Sequence, residues 1–224
     1  STPSSMVAGG NASVSITARD SSQILVPPFF RIVAFTARFA GVPDGAVSTS
    51  AITAFSPQDA ASAAGIYAYT ASVSAEMSGM YTLEFLLDSA AVHQLSIAVV
   101  PGAPSASKCL VDGLGDVSIA AGEMHTFSVT LRDMYANTIV APAPDVRITV
   151  ALNTSAEGAA AEGAWGCVYA SAASAFQCSG FEQRAGIWAV EVTLVEAQTQ
   201  QPVAGSPFAG LSVEPAGLSA VTST

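Results

Sequence analysis

The sequence predicts an all-β protein made of two tandem β-sandwiches. Apolar residues alternate with polar ones in short segments, which places one row of side chains on a core and the other toward water. A strand and the turn before it occur twice along the chain. In addition, 224 residues are many for one sandwich and suit two of about 110.

The repeated strand is clearest in the segment 184–194. Its apolar row is Trp188, Val190, Val192 and Leu194. An earlier copy lies at residues 78–85, where a glycine again opens the strand and an aromatic residue follows two positions later, as Gly79 and Tyr81. The duplication predicts two domains with the same strand order.

The strands that end at Arg19-Asp20 and at Arg132-Asp133 lie 113 residues apart. Residues 1–7 are polar and are interpreted as a partial first strand. The next strand, residues 12–19, alternates and ends at Asp20, and its counterpart runs through Phe127, Val129 and Leu131 to Asp133.

The same offset holds through the following strand, and every inward position is apolar in both copies. Val33, Phe35, Ala37 and Phe39 correspond to Val146, Ile148, Val150 and Leu152. Prolines at 27–28 and at 142 and 144 mark the connection before this strand, because proline cannot donate to a ladder.

The later strands complete each copy. We expect strands at 66–73 and 94–100 in the first copy, and at 167–169, 175–178 and 208–213 in the second. The seam, residues 99–105, contains two prolines and a glycine and predicts a short, stiff linker. The predicted domains are therefore 1–100 and 101–216, and residues 217–224 are expected to begin a linker to a further domain or tail.

Composition limits the functions that are plausible. The net charge is −10, so phosphate backbones and anionic lipid headgroups would repel the chain, and nucleic acid is excluded as a main ligand. No apolar run approaches the ~20 residues of a membrane helix, so no membrane insertion is expected from this fragment.

Two asparagines, Asn11 and Asn153, begin N-glycosylation sequons. We read these sequons as suggestive of a secreted chain.

Catalytic and metal motifs are not found in the sequence. His93 and His125 are the only histidines and fall on strands of different copies. The three cysteines form no C-x-x-C pair, so no structural zinc site is predicted. We therefore expect no enzyme activity and no cofactor. Three carboxylates near the seam, Asp112, Asp116 and Asp133, have two interpretations, solvated turn residues or calcium ligands, and the first is favoured.

The second copy resembles the filamin-type immunoglobulin repeat over residues 101–216. The resemblance rests on five motifs, namely Gly113-Leu114-Gly115, Ala121-Gly122, Asp133-Met134-Tyr135-Ala136-Asn137, Gly186-Ile187-Trp188 and Gly205-Ser206-Pro207-Phe208. The first copy keeps Arg19-Asp20 and Gly79-Met80-Tyr81 but lacks Tyr-Asn after the aspartate and lacks Ser-Pro-Phe. It is assigned to the family mostly through its match to the second copy.

The resemblance implies two tandem seven-stranded antiparallel sandwiches. Tyr81 and Trp188 would occupy the tyrosine-corner position, with a structural role in the core. Cys167 and Cys178 would face each other across a hairpin of the fourth and fifth strands, and they form either a disulfide or two buried free thiols. Cys109 would be left over, either buried or paired with another molecule.

Family members include intracellular actin-crosslinking rods and gamete-surface adhesion proteins of plants and green algae. Three functions follow as expectations, and fold alone does not choose among them. The first is an extracellular adhesion or recognition module from a larger multi-repeat cell-surface protein. The second is a cytoplasmic or ciliary scaffold, and the third is a structural spacer.

Partners would be other proteins or a neighbouring repeat, and we expect the fragment itself to be monomeric. Filamin-type repeats bind partners by adding a peptide strand to a sheet edge. The candidate edge residues are Val146, Ile148 and Val150 in the second copy, and Val33 and Phe35 in the first.

Overall fold

A computed structural model describes residues 5–17, 35–41, 56–57, 68–87, 90–154 and 164–216. The chain divides into two compact units, Ser1–Gly102 and Ala103–Thr224. Within the described residues the regular structure is β-strand throughout, apart from one 3-10 turn at Ser171–Ala173.

Unit 1 has strands in two sheets, one ordered β1-β7-β6-β3 and the other β2-β5-β4. The described strands are β1 (Ser5–Val7), β2 (Asn11–Thr17), β3 (Phe35–Gly41), β4 (Ser56–Pro57), β5 (Ala68–Ser74), β6 (Gly79–Leu87) and β7 (Ala90–Val100). Both sheets contribute to its core. Val14 and Val73 come from one sheet, Leu83 and Ile97 come from the other, and all four are at most 2% exposed.

Unit 2 repeats this arrangement, with sheets ordered β12-β13-β10-β8 and β11-β14-β16-β9, and with β15 paired to β14. Its strands are β8 (Leu110–Asp112), β9 (Val117–Ala120), β10 (His125–Thr130), β11 (Arg147–Thr154), β12 (Trp165–Ala170), β13 (Ala175–Gly180), β14 (Gly186–Glu196), β15 (Thr199–Pro202) and β16 (Phe208–Glu214).

The core of unit 2 lies between its two sheets. Phe127 and Cys178 enter from one sheet, Ile148 and Leu211 from the other, and all are buried in a single cluster. The alternating row of β14 points into it, and Trp188 is 2% exposed. Burial of this row is what the period of two predicted.

Unit 2 begins with two short strands that belong to different sheets. β8 pairs antiparallel with β10, whereas β9 pairs parallel with β16 in the other sheet. The chain changes sheets through a turn at Gly113, whose φ of 92° suits glycine. In unit 1 the parallel pairing recurs, between β1 and β7.

Equivalent backbone bonds show how closely the two units correspond. The amide of Gly9 donates to the carbonyl of Ala75, and the amide of Gly122 donates to the carbonyl of Glu182, each at 2.8 Å. Both glycines have positive φ, 73° and 83°. The duplication inferred from the sequence is therefore present in the hydrogen bonding of the turns.

Candidate functional site

The candidate strand-addition segment of unit 2 lies at a sheet edge. β11 pairs along its whole length with β14, and β14 is its only ladder partner among the described strands. Ile148 is buried, Val150 is half-buried, and Val146 is buried just before the strand begins. The outer edge of β11 thus presents backbone amides and carbonyls that no described strand pairs.

The sequence of β11 has few of the features that usually protect an edge. Arg147 is its only charged residue, and the strand contains no proline. Its pairing with β14 shows no register shift, so no bulge twists the edge away. Apart from Arg147 at its start, the eight residues of β11 carry none of these features, so this edge is suited to binding a further strand.

The corresponding segment of unit 1 is only partly described. β3 pairs antiparallel with β6, and Phe35, its first residue, lies opposite Leu87. Among the described strands β3 is also at the end of its sheet. The other candidate residue, Val33, lies outside the described residues. Peptide binding at either edge stays a prediction.

A disulfide joins Cys167 to Cys178, which decides between the two alternatives left open by the sequence. The two residues are opposite each other in the antiparallel β12–β13 ladder. Cys178 is fully buried, whereas Cys167 is half-buried. The bridge therefore fastens the edge strand β12 to the interior of its sheet.

Cys109, immediately before β8, is the free cysteine, and it is buried. Its Sγ donates to the carbonyl of Ser105 at 3.3 Å. Burial raises the pKa of this thiol, although the nearby Arg132 acts in the opposite direction. A buried neutral thiol is a poor nucleophile, so of the two alternatives the structure supports burial.

Both sequon asparagines are at the surface. Asn11 is the exposed first residue of β2. Asn153 is exposed near the end of β11, and its side-chain amide donates to Glu191 at 3.1 Å. Both side chains are accessible to a modifying enzyme, and glycan attachment stays a prediction.

The two corner aromatics make the same contact in the two units. The hydroxyl of Tyr81 donates to the carbonyl of Met77 at 2.8 Å, and the indole N–H of Trp188 donates to the carbonyl of Arg184 at 3.1 Å. Each bond reaches back four residues. Tyr81 is 4% exposed, and burial raises the pKa of its phenol.

Asp133 differs from the favoured interpretation, because it is fully buried and is not a solvated turn carboxylate. Its Oδ1 accepts the amides of Tyr135 and Asn137, and its Oδ2 accepts the side-chain amide of Asn137. Asp112 and Asp116 are exposed. Across the described ranges no group of three or more His, Cys, Asp or Glu side chains is placed to hold a metal ion.

The two histidines make separate, local contacts. His93 stacks on Phe85 with ring centroids 5.8 Å apart. His125 lies 2.9 Å from the carbonyl of Gly113 and meets the ring of Trp165 edge-on. Each ring packs within its own unit.

Glu182 is a buried carboxylate that the sequence analysis missed. It is fully buried, and its Oε1 accepts the amides of Gln183 and Arg184, each at 2.9 Å. A glutamate in a polar segment normally indicates a solvated loop, so the sequence offered no signal. The residue orders the turn that leads into β14.

Comparisons with known proteins were made for sequence and for structure. Neither a family model nor a curated protein sequence matches the chain. Within the described residues, no helix is long and apolar enough to span a membrane.

Solved structures do match. The Escherichia coli adhesin FdeC is similar over 96% of this chain and 62% of its own, with 13% identity and a TM-score of 0.56. Invasin, a bacterial integrin-binding protein, matches 95% of this chain and 38% of its own, with 14% identity and a TM-score of 0.51. The Lin-41 filamin domain matches 50% of this chain and 98% of its own, with 18% identity and a TM-score of 0.37.

The two bacterial proteins define the fold class, since their TM-scores exceed 0.5. The chain is all-β with an immunoglobulin-like fold, which confirms the predicted class. It spans less than two thirds of either protein.

Proposed function

We propose that this chain is a non-enzymatic adhesion or recognition module of a larger extracellular protein. The main support is its likeness in fold to FdeC, an adhesin, and to invasin, an integrin-binding protein. The disulfide between Cys167 and Cys178 adds independent support. Such bridges form and persist mainly in oxidising compartments, including the cell surface.

In this proposal the module binds a protein partner or a neighbouring repeat through the outer edge of β11. An extended segment of the partner would add to the sheet beyond β11, with affinity from backbone hydrogen bonds. Outward-facing Thr149 and Ala151 are exposed beside this edge and would contact the partner's side chains. The acidic chain would favour partners whose contacting segments are neutral or basic.

The compartment is tested by labelling intact cells with an antibody raised against residues 103–216. We expect labelling without permeabilisation, and a glycan at Asn11 or Asn153 if the source cell attaches N-linked glycans. Labelling that needs permeabilisation, together with three reduced cysteines, would overturn the extracellular proposal. That result would favour the cytoplasmic or ciliary scaffold, which would use the same sheet edge.

The binding surface is tested with beads coated with the chain and scored for attachment to cells. Substituting Thr149→Lys together with Ala151→Lys places charges beside the β11 edge, which opposes strand addition. We expect attachment to fall at least tenfold. The matched control is Thr126→Lys, on the exposed face of β10 in the other sheet, and it should attach normally. Equal attachment by all three proteins would exclude the β11 edge.

A further inference from the structure

Asparagine is scarce in this chain, and both of its exposed copies begin N-glycosylation sequons. The three asparagines are Asn11, Asn137 and Asn153. Asn137 is buried, donates to the carboxylate of Asp133, and begins no sequon. Asn11 and Asn153 are exposed. Every asparagine that the fold leaves at the surface is thus a glycan acceptor by pattern.

Both acceptors also lie on strands at the end of a sheet. Asn11 opens β2, which pairs with β5, and Asn153 lies in β11, which pairs with β14. Among the described strands, neither β2 nor β11 has a second ladder partner. Strands in this position expose unpaired amides and carbonyls, which proteins usually protect. A bulky, solubilising glycan would supply protection that the side chains of β11 largely do not.

The hydrogen bonds of β14 show which backbone groups of β11 face outward. The amide of Val192 donates to Oγ of Ser206, and its carbonyl accepts the amide of Val203, each at 2.9 Å. Both groups of Val192 therefore point away from Val150, which lies opposite it in β11. Because this pair exchanges no hydrogen bonds, the amide and carbonyl of Val150 point to the free edge. The same alternation turns the backbone groups of Leu152 outward, directly beside Asn153.

The side chain of Asn153 lies where an added strand would place its own side chains. Asn153 belongs to the same exposed row as Thr149 and Ala151. In an antiparallel addition, the partner residue opposite Asn153 would have its Cβ about 4.5–5.5 Å away on the same face. The Nδ2 atom of Asn153 donates to Oε2 of Glu191 at 3.1 Å, which holds the acceptor nitrogen on this outer face. A sugar bonded to Nδ2 would occupy the space that the partner side chain needs.

The modification itself is an ordinary group transfer. Nδ2 of Asn153 bonds the anomeric carbon of an oligosaccharide, the bond from that carbon to the diphosphate of a lipid-linked donor breaks, and Nδ2 gives up one proton. One hydrogen stays on Nδ2, so the bond to Glu191 is compatible with the glycan.

We propose that an N-linked glycan on Asn153 blocks strand addition at the β11 edge, so that this edge binds only in chains that lack the glycan. The inference rests on the proposed function, because it concerns the regulation of that same edge in a secreted protein. Exclusion of a partner from Leu152 removes two backbone hydrogen bonds, which corresponds to roughly tenfold weaker binding or more.

The test compares three chains secreted from an animal cell line that attaches N-linked glycans. The first is the original chain, and the second carries Asn153→Gln, which removes the acceptor. The third adds Thr126→Asn to that change, which creates a sequon because Ser128 follows two positions later. Residue 126 is exposed on β10, between β8 and β13. The third chain therefore carries as many glycans as the first but has none at the β11 edge, and mass spectrometry checks each attachment.

Attachment of coated beads to cells is the first measurement. We expect both chains with Asn153→Gln to attach at least tenfold more than the original glycosylated chain. The original chain made in bacteria without glycans keeps Asn153 and should attach as well as they do. If the chain with the moved glycan attaches as poorly as the original, bulk or solubility explains the effect and the inference is overturned.

Sedimentation velocity is the second measurement, and it needs no partner. An unprotected edge pairs with the edge of another copy at high concentration, so the Asn153→Gln chain should form dimers while the original glycosylated chain stays monomeric. Adding Thr149→Lys and Ala151→Lys to the Asn153→Gln chain should restore the monomer. Dimers that persist after this change would place the contact elsewhere and count against the inference.

The two measurements separate this inference from the proposed function. If no chain attaches to cells but Asn153→Gln dimerises through the β11 edge, the adhesive function fails and the effect of the glycan stands. If attachment is strong and both measurements are the same with and without the glycan, the adhesive function stands and the inference fails. It fails equally if Asn153 of the secreted chain carries no glycan.

Discussion

Replacing Asp133 with alanine tests most directly how the turn after β10 holds unit 2 together. The carboxylate is 0% exposed. It accepts the amides of Tyr135 and Asn137 at 2.9 Å each, and the side-chain amide of Asn137 at 2.8 Å. Ala136, between these two residues, has a φ of 67°, so the same bonds hold a backbone conformation that alanine rarely adopts.

The size of the effect follows from these three bonds. A hydrogen bond to a charged group contributes about 1.5–3 kcal/mol, which gives roughly 5–9 kcal/mol if all are lost outright. Tyr135 is half-buried, so its amide can bond to water when the turn relaxes, and part of the lost hydrogen-bond free energy is recovered. We expect Asp133→Ala to lower the free energy of unfolding of unit 2 by about 3–5 kcal/mol.

Tryptophan fluorescence during urea unfolding isolates the relevant unit, because the only two tryptophans, Trp165 and Trp188, lie in unit 2. With a urea dependence of about 1.5 kcal/mol/M, the midpoint should fall by roughly 2–3 M. Asp112→Ala, at an exposed position, is the control and should change stability by less than about 0.5 kcal/mol. A loss below about 1 kcal/mol for Asp133→Ala would refute the reasoning.

Three further predictions concern the cysteines and the first unit. Removing the Cys167–Cys178 bridge should lower the free energy of unfolding of unit 2 by about 3 kcal/mol, from the loop-entropy estimate for an 11-residue separation. The same urea unfolding measures this change, and an unchanged midpoint would show that the bridge does not stabilise the unit. Because burial raises the pKa of Cys109, iodoacetamide should label it only after denaturation, and labelling of the native chain within minutes would contradict its burial. Tyr81→Phe removes the bond to Met77 and should destabilise unit 1 by about 1 kcal/mol, read from near-ultraviolet circular dichroism. Burial raises the pKa of Tyr81, so the stability that its protonated phenol adds to unit 1 is complete below about pH 10. That stability is lost as the pH rises through the higher pKa of the folded state. A free energy of unfolding that stays constant through that range would contradict the prediction.

The sequence was most informative where a single physical rule governs a strand. Alternation alone placed Trp188 and its row in the core, and the same rule aligned Ile148 with its counterpart in the first copy. The prediction that Cys167 and Cys178 face each other depended on the family resemblance. The resemblance implied that their strands form a hairpin, which the spacing of the cysteines alone does not show. Those features require only local periodicity or a known strand order.

Features that depend on contacts distant in sequence were not predictable. The split into β8 and β9 arises because Val117–Ala120 finds its partner in β16, at the opposite end of unit 2. β15 also went unpredicted, since its segment Thr199–Pro202 is polar and exposed. The burial of Glu182 depends on backbone amides of the turn that it orders, and no side-chain pattern encodes their positions.

The two units show which constraints the fold imposes and which it leaves free. Each corner places a glycine of large positive φ, Gly79 at 147° and Gly186 at 151°, two residues before an aromatic ring that bonds a carbonyl four residues earlier. The ring itself differs, phenol in Tyr81 and indole in Trp188, because the geometry requires only a buried ring with a donor at its tip. Backbone geometry of this kind tolerates wide changes in side chain, which is why a likeness in fold persists at 13% identity. Binding specificity must then come from features that differ between units, and among the described residues the disulfide that joins β12 to β13 is such a feature, found in unit 2.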